Sequence, residues 1–430
     1  MKNFFKKVVS NILILESRLV LLRYKPKIVS ITGSVGKTST KDAVYAVLSG
    51  IAYVRKSDKS YNSEIGLPLT ILGLPNGWNN PFIWISNILK GLWLFIWPHK
   101  YPQWLILEVG VGKPGDMKKT ASWLKTDVVI ITAIGDTPAH IEFFNSKKHL
   151  IDEKMGLIDT LKKDGILILN ADDEIVSEMK NKTRNLVTTF GFKEGADLVG
   201  SGESIFYNDD QIPKGIIFRV DAGGVSLPVV IEKVFGRNHM YASLAALALA
   251  YGSKWNIIDA IQTLKDYDVS PGRMRLINGV NNSFIIDDTY NSSPFACEAA
   301  LATLKNVKLP GRKIAILGDM LELGKHTQEA HENIGKIAKD NVDMLIVVGP
   351  RAKDIKQGAL NAGMDPDKIL ECLDSREAGC YMNDHMEVGD LILIKGSQGM
   401  RMERSVELLM AKKEDKNKLL VRQDKEWQKR

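Results

Sequence analysis

The sequence predicts an α/β protein with a large, mostly parallel central sheet and a second, smaller α/β domain. Three observations carry this prediction. Short apolar runs alternate with helix-like patterns along most of the chain, which is typical of parallel sheets covered by helices. A glycine-rich loop of the phosphate-binding kind stands between a predicted strand and a predicted helix. The length of 430 residues, with 44% hydrophobic residues, is sufficient for two or three domains with their own cores.

Apolar runs mark the strands of both domains. In the first half they cover residues 28–32, 104–109, 128–132 and 165–170, and an alternating, glycine-richer section over 195–235 predicts antiparallel strands. Ser270-Pro271-Gly272 interrupts the pattern and predicts a domain boundary. The strand-then-helix rhythm then resumes with runs at 284–286, 313–317, 344–348 and 391–394. We therefore expect a central P-loop domain over 28–269 and a Rossmann-like domain over 270–430.

Two further segments are rich in apolar side chains. Residues 1–27 predict a basic amphipathic helix, and residues 78–104 form a tryptophan-rich insertion. Both are too short or too interrupted by polar residues to span a bilayer, which needs about 20 apolar residues. Tryptophans and basic flanks suit a membrane interface, whereas packing of the two segments on each other would bury them. The sequence leaves both alternatives open.

The formal net charge of +7 is concentrated at the two ends of the chain. Residues 1–27 carry +6 and the tail over 411–430 carries +4, so the rest of the chain carries −3. This distribution argues against a nucleic-acid partner and fits a peripheral contact with an anionic membrane face, or solvated ends. Three cysteines cannot form a disulfide framework, and we expect a cytoplasmic protein.

The glycine-rich loop carries the clearest chemistry. It reads Gly33-Ser34-Val35-Gly36-Lys37-Thr38-Ser39 and lies between a strand and a helix. Glycines allow backbone N–H groups to surround a phosphate, and the helix N-terminus adds partial positive charge. Lys37 would then bind the β- and γ-phosphates of ATP, and Thr38 would ligate Mg²⁺. We expect a nucleotide at this loop.

Three further residues are candidates for metal or phosphate chemistry. Glu108 ends a predicted buried strand, at the sheet edge where ligands bind in doubly wound folds, so metal ligation is the favoured role. His140 follows the next predicted strand, and Lys154 lies in a helical stretch. By spacing alone, a structural histidine and a solvated lysine are the more common outcomes for these two.

Six sequence stretches together carry a family resemblance. They are ITGSVGKTSTK at 31–41, NSEIGLP at 62–68, LEVG at 107–110, DDTYNSSP at 287–294, GDMLELG at 318–324 and KGSQGMRME at 395–403. With these stretches the chain resembles the Mur ligase family, and most closely its branch that adds D-Ala-D-Ala to a UDP-MurNAc-tripeptide. The similarity covers roughly residues 28–410.

The resemblance implies a role for each matching residue. Thr38 and Glu108 would hold one Mg²⁺, and His140 would hold a second together with Lys154 carbamylated by CO₂. The resemblance also places Arg273, Asp288 and the pair Asn238–His239 near the nucleotide. That pair stands in the reverse of the family's usual order, so which side chain meets the base stays open. Further residues would contact the acid substrate or the incoming dipeptide: Asn62, Asn291, Lys395 and Ser397.

The implied reaction is ATP-dependent amide ligation through an acyl phosphate, between a muramyl-peptide carboxylate and D-Ala-D-Ala. The family's UDP-binding N-terminal domain has no counterpart in the sequence, where the basic helix of residues 1–27 stands instead. A Mur-type ligase with another acid acceptor, such as one presented at a membrane, is therefore an alternative. A nucleotide-binding partner protein without catalysis is the third alternative, and the complete set of predicted ATP-site residues argues against it.

Overall fold

The computed structural model describes residues 2–57, 64–135 and 143–428, with the side chains of residues 2–5 left out. Within these ranges the chain forms two compact units. The first unit comprises Met1–Ser201, Arg219–Leu227 and Met240–Asp268, and the second comprises Gly202–Phe218, Pro228–His239 and Val269–Arg430. The units interleave between residues 201 and 240, so the predicted limits of 28–269 and 270–430 stay predictions.

The larger sheet has nine strands in the order β2-β3-β1-β4-β5-β6-β7-β8-β9. The pairs from β2 to β7 are parallel. Connections of a few residues join β7 to β8 and β8 to β9, which makes these pairs antiparallel because a parallel crossover needs a dozen residues or more. The strands are β1 (Lys27–Thr32), β2 (Val54–Lys56), β3 (Trp104–Glu108), β4 (Thr126–Ile131), β5 (Leu161–Asn170), β6 (Leu186–Gly191), β7 (Leu198–Tyr207), β8 (Pro213–Ala222) and β9 (Val225–Glu232).

Nine α-helices accompany this sheet in the described part of the chain, and several have clear sequence reasons for their limits. The fourth begins after Asn80, whose side chain accepts hydrogen bonds from the first-turn N–H groups, with Pro81 at its first position. The helices are α1 (Lys2–Tyr24), α2 (Lys37–Ser49), α3 (Gly66–Leu72), α4 (Pro81–Ile96), α5 (Asp116–Ala121), α6 (Lys147–Met155), α7 (Glu174–Ser177), α8 (Arg237–Gly252) and α9 (Ile257–Thr263).

The second sheet has six strands in the order β10-β11-β15-β12-β13-β14. Within this sheet, the described strands pair in parallel except for the antiparallel pair β10–β11. The strands are β10 (Arg275–Asn278), β11 (Phe284–Asp288), β12 (Lys313–Gly318), β13 (Met344–Val348), β14 (Ile369–Cys372) and β15 (Leu391–Lys395). The helices are α10 (Pro294–Asn306), α11 (Thr327–Lys339), α12 (Lys353–Asn361), α13 (Ser375–His385), α14 (Glu403–Leu409), α15 (Lys416–Leu419) and α16 (Lys425–Gln428). The predicted α/β class is confirmed.

The helices α1 and α4 pack against each other, and α1 also packs against α3. Val9, Leu13 and Val20 of α1 are buried in the same core as the apolar side chains of β1, β3 and β4. Across the described residues, neither α1 nor any other helix combines the length and apolar character needed to cross a bilayer. The basic helix predicted for residues 1–27 is therefore part of the folded body.

Candidate active site

The glycine-rich loop follows β1 and is fastened to the end of β4. The N–H groups of Ser34 and Val35 donate to the carbonyl of Ala133, at 2.6 and 3.2 Å. Gly33 has φ of 144°, and a Cβ there would lie 2.0 Å from Oγ1 of Thr132, so only glycine fits. The helix α2 begins directly after Gly36, a residue that has no side chain with which to cap the first turn. The loop therefore has the shape and the helix N-terminus that bind a phosphate.

Two lysines converge on one carbonyl oxygen of this loop. Nζ of Lys37 donates to the carbonyls of Gly33 and Ser34, at 2.8 and 3.3 Å. Nζ of Lys154, from α6, donates to the same Gly33 carbonyl at 3.1 Å. Burial, reinforced by the nearby charge of Lys37, lowers the pKa of Lys154 to about 7. At neutral pH a large share of Lys154 is thus an uncharged amine.

Thr38 and Glu108 form a pair beside the loop. Because β1 and β3 are parallel neighbours, Ile31 lies opposite Glu108, and the start of α2 faces the end of β3. Oγ1 of Thr38 donates to Oε2 of Glu108 at 3.1 Å, and both side chains are buried. A hydroxyl and a carboxylate at this spacing are the oxygen ligands that Mg²⁺ takes in phosphoryl-transfer sites. Among the described residues, no group of three or more His, Cys, Asp and Glu side chains is placed to hold a metal ion.

Two predicted site residues, Asn62 and His140, lie outside the described residues. The chain leading towards His140 is held by Asp173, whose Oδ2 accepts from the N–H groups of Ile134 and Gly135 at 2.7 and 3.0 Å. Sequence analysis did not single out Asp173. Its only signal was its place after a predicted strand, where acids are common caps.

In the second unit, four predicted residues lie at the carboxyl edge of the six-stranded sheet. Asp288 and Lys395 are register partners on β11 and β15, and Oδ2 of Asp288 lies 2.5 Å from Nζ of Lys395. Nζ of Lys395 also donates to the carbonyl of Asn291 at 3.0 Å. Oγ of Ser397 accepts from the N–H of Leu321 at 2.8 Å. The predicted substrate residues Asn291, Lys395 and Ser397 thus form one cluster with Asp288.

Arg273 lies on a loop that is bonded to the end of β11. The N–H of Met274 donates to Oδ1 of Asp288 at 3.2 Å, and the Arg273 guanidinium lies 3.8 Å from the ring centre of Tyr290. Arg422, from the C-terminal tail, donates to the carbonyls of Thr289 and Tyr290 at 3.1 and 2.5 Å. The tail therefore braces the loop that carries Tyr290. Sequence analysis missed Arg422 because it counted the tail only as a run of charge.

The reversed pair Asn238–His239 has two different environments. His239 is buried, and its Nε2 lies 2.8 Å from the carbonyl oxygen of Arg273. Asn238 is only half-buried. The histidine thus supports the backbone at Arg273.

Comparison with known families agrees with this geometry. The model of the Mur ligase middle domain matches residues 31–250, and that of the Mur ligase glutamate ligase domain matches residues 272–398. This chain belongs to the Mur ligase family. The predicted class of enzyme, an ATP-dependent ligase, is confirmed with it.

Relatives and solved structures support the same assignment. This Mur ligase is 28% identical over 388 residues to the UDP-N-acetylmuramoyl-tripeptide–D-alanyl-D-alanine ligase of Bacillus subtilis, covering 89% of this chain and 76% of the relative. It is 25% identical to the Escherichia coli enzyme of the same name, over 89% and 76% of the two chains. The crystal structure of MurF ligase from Thermotoga maritima in complex with ADP superposes with a TM-score of 0.75 and 26% identity, covering 93% of this chain and 83% of that one.

Proposed function

We propose that this Mur ligase uses ATP to join the carboxylate of a UDP-muramyl-tripeptide to the amine of D-Ala-D-Ala, in peptidoglycan precursor synthesis. The observation that carries the proposal is the group around the phosphate loop. Lys37 and Lys154 meet at the Gly33 carbonyl, and Thr38 lies 3.1 Å from Glu108. The substrates for which the relatives in Bacillus subtilis and Escherichia coli are named support this choice.

The proposed reaction has two steps. A substrate carboxylate oxygen attacks the γ-phosphorus of ATP, and the bond between that phosphorus and the β–γ bridging oxygen breaks. The products of this step are ADP and the acyl phosphate of the substrate. The dipeptide amine then attacks the acyl carbon, loses a proton, and phosphate departs as the C–O bond breaks. Lys37, swinging from the loop carbonyls to the phosphates, offsets the charge that develops on the γ-phosphoryl oxygens.

The metal ligands in the proposal come from residues at the loop. Thr38 and Glu108 would hold one Mg²⁺, which neutralises phosphate charge when it is bound. His140 and carbamylated Lys154 would hold a second. Carbamylation requires an uncharged amine, which adds to CO₂ and loses a proton to give an anionic carbamate. The lowered pKa of Lys154 and its burial support this modification.

The remaining predicted residues are also proposed contacts. We assign Arg273 and Asn238 to the nucleotide, with His239 and Asp288 supporting them through the Arg273 and Met274 backbone. The second-unit cluster of Asn291, Lys395 and Ser397 is assigned to the dipeptide or the acid substrate, as is Asn62. ATP is a cytoplasmic substrate, and the three cysteines are free thiols, so we place the reaction in the cytoplasm.

A second candidate acceptor is a muramyl-peptide acid presented at a membrane. The observation that favours it is the outer face of α4, where Phe82, Trp93 and Trp97 are more than half exposed. This alternative keeps the ATP chemistry unchanged and changes only how the carboxylate substrate is delivered. It also gives the enzyme a peripheral membrane location.

A phosphate-release assay tests the proposal. Purified full-length enzyme, ATP and D-Ala-D-Ala are combined with UDP-muramyl-tripeptide or with the same tripeptide on a lipid carrier in vesicles. Turnover with the soluble precursor supports the leading candidate, and turnover restricted to the lipid-linked acceptor supports the second. Glu108→Gln should lower kcat by about 10²–10³, as is usual when one charge-stabilising group is removed. Absence of ATP turnover with either acceptor would overturn both candidates.

A further inference from the structure

The helix α4 has two apolar faces, of which only one is buried. Its inner face carries the buried residues Trp84, Asn87 and Gly91, and α4 packs on α1 where a Cβ at Gly91 would lie 2.2 Å from Oε2 of Glu16. The outer face is apolar at helical spacing, and its side chains are 44–78% exposed: Phe82, Ile85, Leu89, Leu92, Trp93 and Ile96. A surface helix of a globular protein ordinarily presents polar residues on this side. The outer face therefore requires a partner.

The outer face is held in a fixed conformation. Oδ1 of Asn80 accepts from the N–H groups of Phe82 and Ile83, at 2.9 and 3.4 Å, and so caps the start of α4. At its end, the Tyr24 hydroxyl donates to the carbonyl of Leu94 at 3.0 Å, and Arg23 donates to the carbonyl of Ile96 at 3.2 Å. A partner would thus meet a preordered surface, which lowers the entropy cost of binding.

Two aromatic side chains lie at the C-terminal end of this outer face. The rings of Trp93 and Trp97 stack with centres 5.5 Å apart and planes 4° apart, and they are 55% and 58% exposed. Tryptophan is enriched where hydrocarbon meets the polar headgroups of a bilayer, because its ring is apolar and its N–H is polar. The pair marks the end of α4 as suited to that interface.

The exposed charged side chains of α1 and α4 are all basic. No Asp or Glu occurs between Glu64 and Glu108, whereas Lys90 and Lys100 are exposed. Basic side chains of α1 are also exposed, at Lys6, Lys7, Arg18 and Arg23. Exposed basic side chains on α4 and on the neighbouring α1 complement an anionic lipid headgroup layer. Two copies joined through this face would instead bring their Lys90 and Lys100 side chains together, which is unfavourable.

We propose that the outer face of α4 docks on an anionic membrane and inserts its aromatic and aliphatic side chains into the headgroup interface. A helix of 16 residues is about 24 Å long, shorter than the bilayer core, so it would lie in the membrane plane. This docking goes beyond the proposed ligation, which can proceed in solution. It brings the first unit, with its phosphate loop, to a membrane surface.

Vesicle flotation of the full-length protein tests the docking, without ATP or substrates. Wild-type protein should float with vesicles that contain phosphatidylglycerol and bind pure phosphatidylcholine vesicles more weakly. Leu89→Ser with Trp93→Ser should lower the partition coefficient at least tenfold. Lys90→Gln and Lys100→Gln should each lower it about fivefold on anionic vesicles, the equivalent of ~1 kcal/mol per basic residue.

A matched control removes exposed apolar side chains from the second unit. Leu373 and Val388 are 86% and 73% exposed, and their replacement by serine should leave flotation unchanged. All these positions are exposed, so each variant should melt at the wild-type temperature. The proposal is overturned if wild-type protein floats with neither vesicle, or if the α4 double variant floats as wild type does. It is also overturned if sedimentation velocity shows a lipid-independent dimer that the double variant dissociates. Solution turnover of ATP is measured separately, so loss of the proposed ligation would not be confused with loss of docking.

Discussion

The buried amine of Lys154 should destabilise the ligand-free protein, and Lys154→Met should relieve this effect. The side chain is 2% exposed, and its pKa falls from 10.5 to about 7, mainly because burial disfavours the charged form. Each pKa unit corresponds to about 1.4 kcal/mol. At pH 7 the shift corresponds to a loss of up to about 4 kcal/mol, so the methionine variant should be more stable there by at most this amount.

The pH dependence gives a sharper test than the absolute stability. Between pH 7 and pH 10.5 the unfolded chain holds a proton on Lys154 that the folded chain has released, so raising the pH stabilises the folded state. From pH 7 to pH 9 the wild type should gain about 2 kcal/mol in free energy of unfolding relative to Lys154→Met.

The lowered pKa of Lys154 has a second consequence: about half of the amines are uncharged at pH 7, compared with about one in 3,000 for an ordinary lysine.

Urea unfolding followed by circular dichroism measures this difference. The buffer must lack CO₂, Mg²⁺ and nucleotide, because a carbamate would replace the ammonium by an anion. Lys148→Met removes an exposed lysine from the same helix and should keep the wild-type pH dependence. The reasoning is refuted if wild type and Lys154→Met gain the same free energy between pH 7 and pH 9. In ligation assays the methionine variant should be inactive, so greater stability and lost activity would occur in one protein.

Three further predictions follow from contacts in the two units. Gly33→Ala should weaken ATP binding at least tenfold in calorimetry, because its Cβ would lie 2.0 Å from Thr132 Oγ1 at a φ of 144°. Burial raises the pKa of Glu16 to about 7, so the folded state binds the proton more tightly than the unfolded state does. The folded state therefore loses stability as the pH rises from 4.5 to 7. In urea unfolding, Glu16→Gln should be more stable than wild type by up to about 3 kcal/mol at pH 8 and equally stable at pH 4. Arg422→Ala should lower the free energy of unfolding by about 3 kcal/mol, because it breaks a buried pair with Glu403 at 2.8 Å, and Arg422→Lys should restore part of the loss.

The parts of the site that depend on local sequence were predictable. The phosphate loop joins a strand to a helix within a few residues, and the positions of its glycines predict its conformation. Glu108 could be placed beside Thr38 because parallel strands bring their carboxyl ends to one edge of the sheet. By contrast, Lys154 meets Gly33 across 121 residues of sequence, and spacing alone gave no sign of that contact. Only the resemblance to a known family singled out Lys154 as a site residue.

Charge and apolar content predicted what the end segments contain, but not what they contact. From its charge, the tail over 411–430 was predicted to be solvated or to contact a membrane. The structure buries Arg422 of this tail against the Thr289 and Tyr290 carbonyls, a contact across more than 130 residues. For α4, composition left a membrane interface and internal packing open, and the division into an inner and an outer face depends on where α1 packs. Long-range packing therefore decided both outcomes.

Three lysines are almost completely buried in the described chain, and their surroundings separate their roles. Nζ of Lys395 lies 2.5 Å from a carboxylate oxygen of Asp288, so its charge is balanced within the protein. Nζ of Lys41 donates to the Ser57 carbonyl at 2.9 Å and lies 3.9 Å from Oδ1 of Asp42. Lys154 instead shares the Gly33 carbonyl with another cation, Lys37. Because burying a charge without a counter-charge is strongly unfavourable, Lys154 is the lysine for which conversion to an anion would turn repulsion from Lys37 into attraction.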